Sequence, residues 1–249
     1  MWRIGKRLLG RVINRIVEKA PVRFGSLRRV SPISRSFGLD RGRPIDRYYI
    51  EAFLESHRSD IKGHVLEAGG LIDYAGQFGG NRVTRKDVLY PKEGHPDGTI
   101  VGDLATGEGI PSETFDCLIL TQVFPFIYNL REAVANSHRT LKVGGVLLAT
   151  LPGISQICRY DMEQWGDYWR FTDSAARRLF GDVFQPENVS VETYGNVLVA
   201  SAFLYGLASR ELKEHELNTH DRDYQFSISV RAVKTSPEIL GSAGPATKI

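Results

Sequence analysis

TFDCLILTQVFPFIYNLREAVANSHRTLKVGGVLLATLP, residues 114–152, holds two short apolar runs separated by a segment of helical periodicity. Phe115 to Leu120 and Val146 to Thr150 are too short for helices and too apolar for surface loops, so each predicts a buried strand. Leu130 to about Leu141 predicts the helix between them, and Gly144-Gly145 a turn. A strand-helix-strand unit of this kind implies parallel strands, with a ligand crevice at their carboxyl ends.

The same alternation extends outward from this unit. On the amino-terminal side, PIDRYYIEAFLESHRSDI places Ile45, Tyr49, Phe53 and Leu54 near one face of a helix opened by Pro44 and closing near Gly63. Strands are predicted at His64 to Glu67, Arg82 to Leu89 and Thr99 to Asp103. On the carboxyl side, Ser174 to Phe180 reads as a helix, Val189 to Thr193 as a strand, Val197 to Leu207 as either, and Phe226 to Val233 as a final strand. The sum is an α/β fold: a Rossmann-like, doubly wound, mostly parallel seven-stranded sheet with an N-terminal helical extension. Three parts follow, a basic helix and wrapping arm at 1–43, the α/β domain at 44–235, and a Gly, Pro, Ala and Ser-rich disordered tail at 236–249.

The chain has 249 residues and a net charge of +3, which conceals an asymmetry. Through Arg47 there are 13 Lys and Arg against 3 acids, a net of +10, leaving −7 for the remainder. Met1 to Lys19 sets Ile4, Leu8, Val12, Ile13, Ile16 and Val17 at helical spacing between basic residues, a pattern suited to an anionic membrane surface, a partner protein or the chain's own body. Two cysteines, Cys117 inside an apolar strand and Cys158, favour a reducing compartment over a disulfide framework. No apolar run approaches the roughly 18 residues of a membrane span. These features describe a cytoplasmic protein, and peripheral contact of Met1 to Lys19 with the inner membrane surface is one of the readings open to it.

The turn after the first predicted strand reads VLEAGGLIDYAGQFGG. A ligand-binding turn at this point needs close backbone approach, which glycine permits, although a Gly-Gly pair after a strand also serves as a plain turn. Glu67 closes the strand, and Gly69 and Gly70 follow. An acid next stands in each of the two following strands, Asp87 and Asp103. This order, together with FDCLIL leading to LKVGGVLLATLP, resembles the class I S-adenosylmethionine-dependent methyltransferases. A third glycine usual in that family is replaced here by Leu71, Ile72 and Asp73. The resemblance implies S-adenosylmethionine as cofactor, held by Glu67, Gly69, Gly70, Asp87, Asp103, Leu104 and Gln122. It gives Asp87 the ribose hydroxyls, Asp103 the adenine amino group, the Leu104 amide the ring, and Gln122 the methionine edge.

Downstream, DYWRFT and the leader PISRSFGLDRGRPIDRYYIEAFL resemble methyltransferases encoded with sugar and polysaccharide enzymes, some beside glycosyltransferase domains. That likeness implies a small-molecule or glycan acceptor and a glycosyltransferase partner. Trp165, Tyr168, Trp169 and Phe171, set among Asp161, Asp167 and Arg170, suit it chemically, because sugar CH faces stack on rings while hydroxyls pair with charged groups. Asp161, Asp167 and Arg170 are the candidate catalytic residues; an equally open reading has the aromatics anchoring the loop. The cluster Asp40, Arg41, Asp46, Arg47 and Tyr48 reads either as a lid or as a salt-bridged brace.

Other functions fit less well. The six histidines show no metal-ligand spacing. A nucleic-acid methyltransferase would suit the basic leader, but the Asn/Asp-Pro-Pro-Tyr/Phe acceptor motif is absent. An oxidoreductase would need GxGxxG in the first turn. The alternative from another class is a non-catalytic methyltransferase-like module that binds a glycan-biosynthesis enzyme or a membrane.

Overall fold

Alternation along Phe115–Thr121 builds the molecule's two layers. Cys117 and Ile119 face one side of the sheet while Leu118 and Leu120 face the other, and all four are fully buried. The computed structural model describes residues 23–69 and 72–236. Its single sheet contains β1 (Gly63–Ala68), β2 (Val83–Tyr90), β3 (Ile100–Val101), β4 (Phe115–Thr121), β5 (Leu141–Pro152), β6 (Val189–Tyr194) and β7 (Ser227–Val233). The strand order is β3-β2-β1-β4-β5-β7-β6, parallel from β3 to β5, with β7 antiparallel to both its neighbours. This is the doubly wound, mostly parallel arrangement that the sequence predicts.

The helices are α1 (Ile45–Ser56), α2 (Leu130–Thr140), α3 (Arg159–Gln164), α4 (Asp173–Phe184), α5 (Val197–Leu204) and α6 (Glu214–Asn218). Ile50, Phe53 and Leu54 of α1 pack with Val65, Ile119 and Leu148 on one face of the sheet. Ala133 and Val134 of α2 and Phe180 and Phe184 of α4 pack with Leu66, Leu118 and Leu147 on the other. Each fully buried phenylalanine contributes on the order of 2 kcal/mol from burial.

Several boundaries differ from expectation for local reasons. The first helix ends at Ser56 instead of near Gly63, because the Ser56 hydroxyl bonds back to the Phe53 carbonyl at 2.8 Å and competes with the next helical turn. β3 keeps only two residues. Its chain folds back through an Asp103 amide bond to the Glu108 carbonyl, and Gly109 lies so close to Val101 that a Cβ would be 2.1 Å from its carbonyl oxygen. Gly144-Gly145 does not separate helix from strand, since both lie within β5. Between the pairs Phe115↔Leu141 and Cys117↔Val146 the strand carries four residues against one, a bulge that uses Gly144 at φ +81°. The Val197 segment is a helix because the Asn196 side chain accepts the amides of Leu198 and Val199, both at 3.0 Å.

Residues 1–32 and 33–249 form two compact units. In the first, Gly25–Leu27 is a short 3-10 turn and the Arg28 guanidinium lies 5.5 Å from the centre of the Phe24 ring. The basic amphipathic stretch Met1 to Lys19 and the predicted disordered tail fall outside the described residues, apart from Ser236.

Candidate active site

The sheet order reverses at β1, which has β2 on one side and β4 on the other, so the loops leaving β1 and β4 part and open a crevice at their carboxyl ends. β1 ends at Ala68, and Gly69 follows with φ +82°. A Cβ at Gly69 would meet nothing within 4 Å among the described residues, so the left-handed backbone, not crowding by them, calls for glycine. Gly70 lies outside the described residues.

Glu67 is buried one residue inside that end. Its carboxylate oxygens accept the amides of Tyr74 and Ala75, each at 3.2 Å, where the single π turn Ala75–Gly79 begins. Burial pushes the carboxyl up to about 7, against the opposing pull of the two amides. Glu67 thus ties the far end of the glycine loop to β1. Tyr74 is held from the other side as well, by a 2.9 Å hydrogen bond from Arg47 Nη1 to its hydroxyl.

The two other strand acids diverge. Asp103 is exposed at the carboxyl end of β3, where one oxygen accepts the Ala105 amide at 2.7 Å. Leu104 puts its side chain into the core and its carbonyl on Asn136 Nδ2 at 2.9 Å, while its amide has no partner among the described residues. Asp87 lies deeper in the sheet than the strand end. It pairs with Leu66, short of the final pair Ala68↔Leu89, and its carboxylate is occupied by His64 Nε2 at 2.6 Å, Thr99 Oγ1 at 2.8 Å and Arg85 at 3.1 Å. Burial alone would raise this carboxyl; hydrogen bonds from His64 and Thr99, with the Arg85 charge, hold it below its ordinary value.

Gln122 follows β4 with φ +57°, a left-handed conformation that is uncommon for a side-chain-bearing residue and costs about 1 kcal/mol. Its amide bonds the Thr150 carbonyl at 2.9 Å, which fixes the edge between β4 and β5. Gly69, Asp103, Leu104 and Gln122 therefore all follow strand ends on the crevice edge.

The loop from β5 to α4 has its own internal clasp. Arg170 forks onto Asp167 through two bonds of 2.6 and 2.9 Å, and also donates to the carbonyls of Ser155, Gln156 and Trp169. The Cys158 amide adds a bond to Asp167 at 3.1 Å. Burial would raise Asp167, but Arg170 and that amide hold it below its ordinary value. Asp167 and Arg170, two of the three catalytic candidates, thus hold the loop together. Asp161, half-buried in α3, accepts the Cys158 thiol, which burial and then this bond push up to about 11.

The aromatics divide as well. Trp169 Nε1 bonds the Ile127 carbonyl at 3.1 Å, and Phe171 is buried with its amide on Pro152. Tyr168, by contrast, is 49% exposed and meets Tyr128, 65% exposed, edge-on with ring centres 5.4 Å apart. The sequence reading missed Tyr128 and the Lys92 ammonium, which lies 4.5 Å from the centre of the Trp165 ring and joins the loop after β2 to the loop from β5 to α4. Tyr128 follows a strand end within a named crevice and was open to inspection there; Lys92 has no local signature. Asp40, Arg41, Arg47 and Tyr48 are engaged with Ser34, Glu211, Tyr74 and Asn218 respectively, and Asp46 with the amide of Arg47.

A family model described as a methyltransferase domain matches residues 81–149, which run from β2 into β5. No curated protein matches the sequence. Among solved structures, a SAM-dependent methyltransferase from Archaeoglobus fulgidus is similar at 11% identity, over 76% of this chain and 94% of its own, with a TM-score of 0.51. The N-methyltransferase NodS from Bradyrhizobium japonicum WM9, in complex with S-adenosyl-L-homocysteine, is 12% identical over 82% of this chain and 95% of its own, with a TM-score of 0.49. The Archaeoglobus likeness is one of fold. Fold and matched domain together define an S-adenosylmethionine-dependent methyltransferase, an enzyme with S-adenosylmethionine as its cofactor. Among the described residues no helix is long and apolar enough to cross a membrane, and no group of three or more His, Cys, Asp or Glu is placed to hold a metal.

Proposed function

We propose that this methyltransferase O-methylates a sugar or glycan-linked acceptor in polysaccharide biosynthesis. The observation that carries the reading is the exposed ring pair formed by Tyr128, on the segment after β4, and Tyr168, on the clasped loop after β5. Exposed rings with hydroxyl tips offer a sugar both stacking faces and hydrogen bonds. The likeness of DYWRFT and the leader to methyltransferases encoded with sugar enzymes supports the same acceptor class, and with it a glycosyltransferase as partner.

The edge residues fit the cofactor. Gly69 gives an uncrowded backbone approach, the Leu104 amide is unpartnered and Asp103 is exposed, so these would hold it, with Gln122 at its acceptor side. When bound, the cofactor supplies an electrophilic methyl group on a sulfonium. The protein's own task is then alignment and exclusion of water. Tyr128 and Tyr168 hold the sugar ring, the Asp167–Arg170 clasp fixes the loop that bears Tyr168, and Asp161 accepts the acceptor hydroxyl's proton.

The test is transfer of labelled methyl to nucleotide-linked sugars, lipid-linked sugars and simple amines. Methylated sugar hydroxyls are expected, with Asp161→Asn lowering turnover and leaving cofactor affinity unchanged. Preferential methylation of amines would overturn the reading.

A further inference from the structure

One arginine is paired unlike the others that leave solvent. Arg41, Arg170 and Arg231 each fork onto a carboxylate, that of Glu211, Asp167 and Asp60 respectively. Arg139, half-buried, has no acid but donates to four oxygens, on Asn136, Ser112, Gly107 and Ile110. Arg47 is half-buried and has neither arrangement. Among the described residues its guanidinium makes one hydrogen bond, from Nη1 to the Tyr74 hydroxyl at 2.9 Å, and no ion pair.

The acids near Arg47 are turned to other groups. Asp46 accepts the Arg47 backbone amide at 2.9 Å, and Glu51 pairs with Arg43. Burial works against the charge of Arg47, yet Asp46, Tyr74 and Glu51 together hold the group above its ordinary value, so it stays a cation. Of its five N–H donors, four have no acceptor among the described residues. A cation drawn partly out of water regains free energy when a carboxylate pairs with it.

The guanidinium is also fixed from both ends. Its backbone lies in the first turn of α1, which is packed on the sheet through Ile50, Phe53 and Leu54. Its tip rests on Tyr74, whose amide is tied to Glu67 near the end of β1 and whose ring is buried. Arg47 is thus a preorganised fork at the segment that follows β1.

We propose that Arg47 binds the carboxylate on the methionine portion of S-adenosylmethionine. A carboxylate presents two acceptor oxygens that match the planar fork of a guanidinium. An acceptor phosphate would suit the same donors, but the acceptor-side rings Tyr128 and Tyr168 follow β4 and β5, whereas Arg47 is held by the segment after β1. The inference stands apart from the acceptor's identity, because cofactor binding is measured without methyl transfer.

The test is calorimetry of the full chain with S-adenosylhomocysteine and with its decarboxylated analogue, which keeps the adenosine, the sulfur and the amine. The wild type is expected to prefer S-adenosylhomocysteine. Arg47→Gln should weaken that ligand at least about tenfold and the analogue less than about twofold. Arg47→Lys should recover part of the loss, since it restores the charge without the fork. Tyr74→Phe keeps the buried ring and removes only the hydroxyl that aims Nη1, so it should show the same selectivity at about threefold. Equal weakening of both ligands in either variant would make the role structural and overturn the proposal. So would an unchanged affinity for S-adenosylhomocysteine in Arg47→Gln, or a rise in KM confined to phosphorylated acceptors, which would give the guanidinium to the acceptor instead.

Discussion

The crevice edge and the loop from β5 to α4 use their polar groups in opposite ways. At the edge, among the described residues, Gly69 has open space beside it, the Leu104 amide lacks a partner and Asp103 stands exposed; these groups are positioned by strands that would form for reasons of burial alone. In the loop between β5 and α4, Arg170, Asp167 and the neighbouring carbonyls satisfy one another. A rigid sheet can leave groups open for a ligand because its geometry is fixed elsewhere. A loop lacking a ladder must supply its own rigidity, and the charged residues that attract notice in its sequence are the ones that supply it.

Removing the clasp is the strongest way to break this contrast. Arg170→Ala leaves Asp167, whose side chain is 2% exposed, buried without its cation, and should lower stability by about 3 kcal/mol. Methyl transfer should collapse while calorimetric affinity for S-adenosylhomocysteine persists; loss of both together would show that the two regions are not independent.

Glu67 tests the edge. Its carboxyl ionises at about 7 in the fold and near its ordinary 4.5 when unfolded, so between those values the folded chain holds the extra proton. The stability this contributes is full below pH 4.5 and is lost as pH rises through about 7, at most about 3 kcal/mol. Melting temperature should therefore fall across that window in the wild type and stay flatter in Glu67→Gln.

A smaller and more discriminating pair is Asp87→Asn and Asp103→Asn. The first removes a charged partner from His64, Thr99 and Arg85 and should cost about 1–2 kcal/mol in thermal unfolding, with cofactor affinity unchanged. The second should leave stability within about 0.5 kcal/mol and weaken cofactor binding about tenfold. The reverse pattern would return Asp87 to the site. Smallest of all, Tyr128→Ala should raise the acceptor KM about fivefold with kcat held, as loss of one stacking face predicts.

The strands were legible because burial writes itself into composition. FDCLIL, VLLATL and the paired runs at 64–67 and 83–90 have few other structures open to them. The glycine turn and the positions of Asp103 and Gln122 followed from the strand ends. The depth of Asp87 was not legible because sequence distance to a strand end is uncertain by a few residues, and its partners His64 and Thr99 come from neighbouring segments that only the register brings together. The clasp was illegible for a related reason. DYWRF names the charges and rings, but three of Arg170's bonds go to backbone carbonyls, which no side-chain pattern marks. Lys92 over Trp165 depends on two loops meeting, a property of the whole sheet.

The place of β7 has a consequence for how this chain is made. Ser227–Val233, the last strand to be synthesised, lies between β5 and β6. Until it emerges from the ribosome, the long apolar β5 has an unpaired edge and β6 has no neighbour in the sheet at all. The nascent chain can assemble β3-β2-β1-β4-β5 early, but it then carries an open, sticky strand edge through the synthesis of some seventy further residues. Completion of the sheet is thus an insertion, not an addition at a rim, and the period before it is when the chain has most need of a chaperone.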